Sequence, residues 1–409
     1  MNKPLKRIEN FEKLGMGLFV HYGLYSLLGM GEWSFNLRQI PKAEYEALAK
    51  KFTAEKFSGE KLAKTAKTAG CKYIILTTRH HDGFSLYDTC GLNTYDAPHS
   101  AAGRDLIKDF VQGCKKYNIL PVLYHTTLDW REKSFNDDFN AYKKYLRSSV
   151  EILCRNYGEI GGIWFDGDWS KPDADWETDK LYGMIRKYQP EAMIINNTGL
   201  EHRGKIGAEE IDCVTFERGR PSAASKKEGK HRAGEMCQIF NDNWGYAERD
   251  INYKSMKEII TDLCVCRRYR ANFVINAGPR GDGSLRPIDK AMLEEIGRWI
   301  SFNGKAVYEP KPCGIDCGED DFVLDAGNGK YFLFVSGLTM DGDPNVTARL
   351  EHAKKIILKN CARIKSIAWL DNGEKLEFTQ DGATARIKAT NFRYGENLIV
   401  RVAEIIMQR

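Results

Sequence analysis

No stretch of the chain approaches the ~20 consecutive apolar residues that a membrane-spanning helix requires. A strong charge excess is also missing: 61 basic against 56 acidic residues leave a formal net charge of only +5. Lys and Arg are scattered, with short runs such as "SKKEGKHR", so the basic stripe of a nucleic-acid binder is absent. The opening segment "MNKPLKRIENFEKLGMG" has basic residues but no apolar h-region behind them, which argues against a secretory signal. Eleven cysteines follow no repeating spacing. Cys264-Val265-Cys266 and Cys313-x-x-x-Cys317 are the near pairs, and neither has the matching second pair of a structural zinc site. Reduced thiols in a cytoplasmic protein are the simplest reading. His-x-His, a common metal pair in barrel hydrolases, does not occur, and internal repeats and low-complexity tracts are lacking too.

What remains is an ordinary globular balance, 42% hydrophobic and 29% charged, over 409 residues. That length suits a large α/β unit plus a smaller one. From Leu14 to about Phe302, eight short apolar runs alternate with longer amphipathic stretches: "GMGLFVHYG", "CKYIILTTRH", "ILPVLYH", "GGIWFDG", "AMIINN", "DCVTFE", "EMCQIFND" and "NFVINAGP". Helical patterns lie between most of them. "SGEKLAKTAKTAG" begins on a Ser cap and stops at Gly70, and "GRDLIKDFVQGCKKYN" has apolar residues at i, i+3, i+4 and i+7. Eight buried strands separated mostly by helices predict parallel βα units, and eight in this length suit a closed (β/α)8-like barrel over residues 1–305. Periodicity does not show closure, so an open doubly wound sheet stays as the alternative. After Tyr308-Glu309-Pro310 the pattern becomes short alternating strands with Asp-Asn-Gly and Asp-Gly turns, which predicts a small all-β sandwich over 306–409, packed on the barrel.

Barrel active sites lie at the strand C-terminal ends, and polar residues gather there in this sequence. His21 follows the first run, with Glu32 and Trp33 in the next loop. His80, His81 and Asp82 end the second, and Tyr124-His125 the third. Asp166 ends the fourth and Glu217 the sixth. Glu235 heads the seventh, Asn243-Trp244 follow it, and Asn276 ends the eighth. Carboxylates, imidazoles and indoles together suit a polyhydroxylated ring, whose apolar face the indoles cover. Adjacent His80 and His81 would point to opposite faces of a strand, predicting one packed and one pocket histidine. Trp164 reads equally as core or pocket, whereas Trp33 and Trp244 lie in Gly-rich loops that fit a pocket. An Asp after a strand also serves as a helix N-cap, but Asp166 follows the bulky run Ile163-Trp164-Phe165. Two carboxylates on different strands, Asp166 and Glu217, can supply the chemistry of glycoside hydrolysis, one attacking the anomeric carbon and one protonating the leaving oxygen. A nucleophile must be held rigidly and stay ionised, which a strand end with fixed neighbours provides.

The segments "FVHYGLYSLLGMGEWS", "CKYIILTTRHHDGFSLYDT", "GRDLIKDFV", "GGIWFDGD", "EMCQIFNDNWGY" and "NFVINAGPRGDG", in this order over roughly residues 14–305, resemble the successive motifs of the retaining α-L-fucosidases, glycoside hydrolase family 29. The resemblance implies a (β/α) barrel and release of terminal α-L-fucose by double displacement, with no metal and no cofactor. It implies Asp166 as nucleophile, and His21, Glu32, Trp33, His80, His81 and Tyr124 as sugar-binding groups. The family's acid/base is its least constant element: "TFE" resembles one family context and gives Glu217, while "GEMCQIF" aligns a second glutamate, Glu235. Strand-end position favours Glu217, with Glu235 and Trp244 binding sugar. The implied substrate is a fucosylated oligosaccharide or glycoconjugate, with no nucleic-acid or membrane partner; a homo-oligomer stays open. Many family members carry Asn-Asp-Arg after strand five, where this chain has Asn196-Asn197-Thr198-Gly199; Arg203 is the candidate substitute for the absent arginine. Gly234 stands where the family has an indole, which would open that side of the pocket and admit a related sugar such as α-L-galactose. A non-catalytic carbohydrate-binding barrel and a metal-dependent hydrolase are the readings from other classes.

Overall fold

A computed structural model describes residues 4–222, 230–343, 345–347 and 353–408. The first five residues of "SKKEGKHR" lie outside them. All eight apolar runs are strands, and they close a parallel barrel in sequence order. These are β1 (Met16–Val20), β2 (Tyr73–Arg79), β3 (Leu120–Thr126), β4 (Gly162–Asp166), β5 (Met193–Asn197), β6 (Cys213–Glu217), β7 (Ala233–Ile239) and β8 (Asn272–Ala277), with β8 paired back to β1. Closure removes the open-sheet alternative. Strands of a closed parallel barrel are covered on both sides, which is why they read as continuous apolar runs rather than as alternating ones. Alternate residues point into the barrel. Phe19, Tyr73, Ile75, Val122, Tyr124, Trp164, Met193, Ile195, Cys213, Cys237 and Val274 form one buried cluster there.

The predicted helices form, the first behind its predicted Ser cap. Ser58 caps Gly59–Thr68 by accepting from the Lys61 amide, and Asp105 caps Leu106–Tyr117 by accepting from Lys108. Phe139–Asn156, Thr178–Tyr188 and Met256–Arg268 fill further crossovers, the last behind a Ser255–Glu258 capping box. Among the described residues no α-helix follows β5 or β6, and residues 198–212 hold only the short turn Leu200–His202. That segment, "TGLEHRGKIGAEEID", is polar and glycine-containing and lacks an apolar stripe to bury. The first segment instead forms a helix, Lys6–Glu12, whose Ile8 and Phe11 join the buried barrel cluster. Its Arg7 forks onto buried Asp212 with two bonds of 3.0 Å, and Lys230 and Arg186 also reach that carboxylate. Three cations hold Asp212 ionised: burial raises its pKa, but their bonds bring it below the ordinary value.

Two antiparallel sheets make up the rest. One has the order β13 (Ile364–Trp369), β16 (Arg401–Met407), β11 (Lys330–Val335), β10 (Phe322–Gly327), β9 (Lys311–Pro312). The other has the order β12 (Ala353–Leu358), β15 (Thr384–Thr390), β14 (Glu377–Asp381). Leu333, Ile356, Ile367, Trp369, Ile387 and Ile405 from both sheets share one buried core, the signature of a sandwich. The turns come where Asp-Asn-Gly and Asp-Gly predict them: Gly373 and Gly382 both have positive φ. By compactness the chain divides into Met1–Lys254 with Asn272–Glu294, and Ser255–Ala271 with Glu295–Arg409. All eleven cysteines are free thiols. No helix among the described residues is long and apolar enough to cross a membrane.

Candidate active site

Asp166 ends β4 on the same face as Trp164, two residues earlier, and so points into the barrel mouth. The residue after it must be glycine. Gly167 has φ +111°, and a Cβ there would lie 2.6 Å from Leu128 Cβ and 2.7 Å from the Leu128 amide nitrogen. This close passage over the β3 loop turns the chain just past Asp166 and leaves its carboxylate facing several donors. Tyr124 Oη donates to Oδ2 at 3.0 Å, Trp169 Nε1 to Oδ1 at 2.9 Å and Asn197 Nδ2 to Oδ1 at 3.2 Å. His81 Nε2 stands 3.5 Å from Oδ2. Burial pushes the Asp166 pKa up, yet the bonds from His81, Trp169 and Tyr124 outweigh it and leave the pKa below its ordinary value.

Glu217 ends β6 and shares a donor with Asp166: the Asn197 amide nitrogen also donates to Glu217 Oε2, at 2.8 Å. Its pKa moves the other way. Burial raises it, the Asp166 charge raises it further, and bonds from Asn197 and Trp244 only partly offset the rise. Two neighbouring carboxylates thus have opposite protonation preferences. Arg203, the candidate substitute for the absent arginine, holds the backbone carbonyl of Glu217 through Nε and has no bond to Asp166. Asn197, Trp169, Tyr124 and His81 surround the Asp166 carboxylate instead.

His80 and His81 both enter the site, against the expectation from strand alternation. The β2–β3 register shifts between Thr77 and Arg79, and the strand ends at Arg79, so the pleat no longer governs the two residues that follow. Arg79 turns outward instead, pairing with buried Asp129 and donating to Ser149. The two imidazole centroids are 4.3 Å apart, and His80 stacks on Tyr124 at 5.7 Å. His81 Nδ1 is bonded to Thr126 Oγ1 at 2.6 Å, while His80 Nδ1 is buried with no partner among the described residues. His21 Nδ1 meets Asn276 Oδ1 at 2.7 Å, and burial lowers its pKa from 6.5 to about 3, so the ring is neutral.

Glu32 is buried beside them and accepts from the Gly245 amide at 2.7 Å; burial raises its pKa. Trp33 lies edge-on to His81 and Trp130 and stacks near Trp169, 6.2 Å between centroids. Trp244 covers His21 at 5.0 Å, its carbonyl held by Asn276 Nδ2. The mouth is therefore walled by indoles and floored by imidazoles and carboxylates.

Glu235 is the predicted residue that the structure sets apart. It is fully buried inside the barrel, where Tyr73 Oη donates to Oε2 at 2.5 Å and Trp164 Nε1 to Oε1 at 2.8 Å. Trp164 in turn stacks on Tyr124, 5.5 Å between centroids, so it is a core ring directly beneath Asp166. Gly234 precedes an inward residue and faces the other side of β7, so an absent indole there does not widen the mouth. Burial raises the Glu235 pKa from 4.5 to about 7. The folded chain then holds a proton that the unfolded chain releases, so this group's stabilisation is complete below pH 4.5 and lost as pH rises to about 7. The urea midpoint of the native chain should fall relative to that of Glu235→Gln as the pH rises across that interval. A constant difference would mean that Glu235 titrates as an ordinary glutamate.

Asn197 and Trp169 contact the Asp166 carboxylate and lie outside the set of site residues predicted from sequence. The signal was available for Asn197: Met193 and Ile195 face inward, so the next residue of that parity is Asn197. Among the described residues, no three His, Cys, Asp or Glu side chains are grouped as metal ligands would be.

The family model described as alpha-L-fucosidase matches residues 2–305. The tissue alpha-L-fucosidase of Rattus norvegicus is 27% identical over 356 residues, covering 79% of this chain and 74% of that protein. Alpha-L-fucosidase isoenzyme 1 from Paenibacillus thiaminolyticus superposes with a TM-score of 0.83 at 26% identity, covering 99% of both chains. An alpha-L-fucosidase from Bacteroides thetaiotaomicron, solved as a trapped covalent intermediate with 2-fluoro-fucosyl fluoride, shares the fold. Its TM-score is 0.81 at 21% identity, covering 100% of this chain and 98% of that one.

Proposed function

The chain belongs to the alpha-L-fucosidase family of glycoside hydrolases, and we propose that it releases terminal α-L-fucose from fucosylated oligosaccharides or glycoconjugates by double displacement through a covalent fucosyl-enzyme intermediate. The observation that carries this reading is the Asp166–Glu217 pair. Both carboxylates are bonded to one amide nitrogen, so Oδ1 and Oε2 can be no farther apart than the two bonds laid end to end, about 6 Å. That fits the ~5–5.5 Å of a retaining pair better than the ~6.5–9.5 Å that leaves room for a water in an inverting one. Their pKa directions, Asp166 down and Glu217 up, match an ionised nucleophile beside a protonated acid.

In the first step the Asp166 carboxylate bonds the anomeric carbon while Glu217 gives its proton to the departing oxygen. In the second, Glu217 takes a proton from water as the water displaces Asp166. His21, His80, Glu32 and Tyr124 bond the sugar hydroxyls, with His81 shared between sugar and nucleophile. Trp33 and Trp244 cover the ring and exclude bulk water. Glu235, with both oxygens engaged, holds the Trp164 floor rather than sugar. kcat/KM against pH is then a bell: activity falls at low pH as Asp166 takes up a proton, and at high pH as Glu217 loses its own.

The test is a substrate panel. A nitrophenyl α-L-fucoside should be hydrolysed with initial release of α-L-fucose, and the α-L-galactoside and β-D-fucoside should be far poorer. Preference for either control, or β-L-fucose as first product, would overturn the reading.

A further inference from the structure

We infer that Asn197 is a positioning residue that follows the negative charge through the reaction, its amide bonding whichever of Asp166 and Glu217 is anionic. The inference rests on the double-displacement reading above and adds a group that reading does not need. Nδ2 carries two hydrogens, and the two carboxylates take one each, at 3.2 Å for Asp166 Oδ1 and 2.8 Å for Glu217 Oε2. The other end of the amide is fixed. Thr215 Oγ1 donates to Asn197 Oδ1 at 2.9 Å and the Gly199 amide donates to it at 3.4 Å, so a flipped amide would set oxygen against two carboxylates. Glu217 is held in register from behind by Arg203 on its backbone carbonyl.

The first step moves one negative charge from Asp166 to Glu217. A carbon–oxygen bond forms at Asp166, the bond to the leaving oxygen breaks, and the Glu217 proton goes to that oxygen. Before it, the anion touching Asn197 is Asp166; after it, the anion is Glu217. Hydrogen bonds to charged acceptors are roughly twice as strong as neutral ones. A donor already bonded to both ends of the charge shift therefore needs no reorganisation as the charge moves. The other titratable or charged groups facing the pair are His21, His81, Tyr124, Asp168, Arg218 and Cys237, and none of them is altered by substituting Asn197 alone.

The experiment is the pH profile of kcat/KM on the aryl fucoside. Asn197→Ala removes a donor from both carboxylates and so raises both pKa values. The whole bell should move to higher pH, by about one unit on each limb, with its height down roughly 10- to 100-fold. Asn197→Asp puts a third carboxylate between the two, and its acid limb should move farther than that of Asn197→Ala. A variant that merely disturbs packing lowers the bell without moving it, and a bell that keeps its position overturns the inference. Thr215→Val leaves the amide present but held only by the longer bond from the Gly199 amide. It should give a smaller shift in the same direction, and it decides the matter if Asn197→Ala does not fold. Failure of the underlying reading would look different: Glu217→Ala would then retain the native dependence on leaving group, whatever Asn197 does.

Discussion

Asp166→Ala is expected to lower kcat on an activated aryl fucoside by about 10³-fold or more, some 4 kcal/mol of transition-state stabilisation. The carboxylate is bonded by Tyr124, Trp169 and Asn197. Truncating it removes the group that would form the covalent bond and leaves a small cavity beside the anomeric carbon. Azide fits such a cavity and needs no activation by a base. Added azide should restore part of the turnover and give β-L-fucosyl azide, the product of a single displacement with inversion. Tyr124→Phe, which removes one donor from Asp166 together with a sugar contact, should raise the pKa of the acid limb and lower kcat/KM by less than Asp166→Ala does. Near-native activity in Asp166→Ala, or α-L-fucosyl azide as its rescue product, would end the assignment of Asp166 as nucleophile.

Glu217→Ala should separate substrates by leaving group. A dinitrophenolate departs without a proton, so a dinitrophenyl fucoside should still fucosylate the enzyme. A fucosyl-oligosaccharide, whose alkoxide needs one, should slow by roughly 10²–10⁴-fold. The alkaline limb of the pH profile should flatten, because the group whose ionisation it reports is gone. Azide should then intercept the covalent intermediate and yield α-L-fucosyl azide. Glu235→Ala should behave otherwise. It strips acceptors from the buried Tyr73 hydroxyl and Trp164 indole, which costs about 1–3 kcal/mol for each group left unpaired. Both substrates should slow by the same factor, and the thermal midpoint should drop. If Glu235→Ala instead discriminates between leaving groups while Glu217→Ala slows both alike, the two residues exchange roles.

The barrel was legible because a closed parallel sheet with helices outside leaves a plain linear trace, eight continuous apolar runs with capped amphipathic segments between most of them. The sandwich was legible from period-two alternation and from Asp-Asn-Gly and Asp-Gly, whose glycines adopt positive φ. Strand ends such as Asp166, Tyr124 and Glu217 could be named as site candidates because strand direction alone sends them to one mouth of a barrel. Loop groups such as Glu32, Trp33 and Trp244 were named from motif order, and the loops bring them to the same place.

What sequence could not decide depends on distances between residues far apart in the chain. Alternation misassigned His80 and His81, because a register shift near the end of β2 is a property of two strands and not of one. It takes the folded barrel to put one Asn197 amide between carboxylates from β4 and β6, or to turn Arg203 onto a backbone carbonyl instead of Asp166. Glu217 and Glu235 look alike on paper, two glutamates near a strand. The closed barrel separates them, leaving one at the mouth beside a like charge and the other bonded to an indole and a phenol beneath it. By itself the chain determined its elements, its strand-end chemistry and its family, since these follow from local period and motif order. Which carboxylates meet, and which way each one's pKa is pushed, only the tertiary structure decided, because charge interaction and desolvation depend on spatial neighbours.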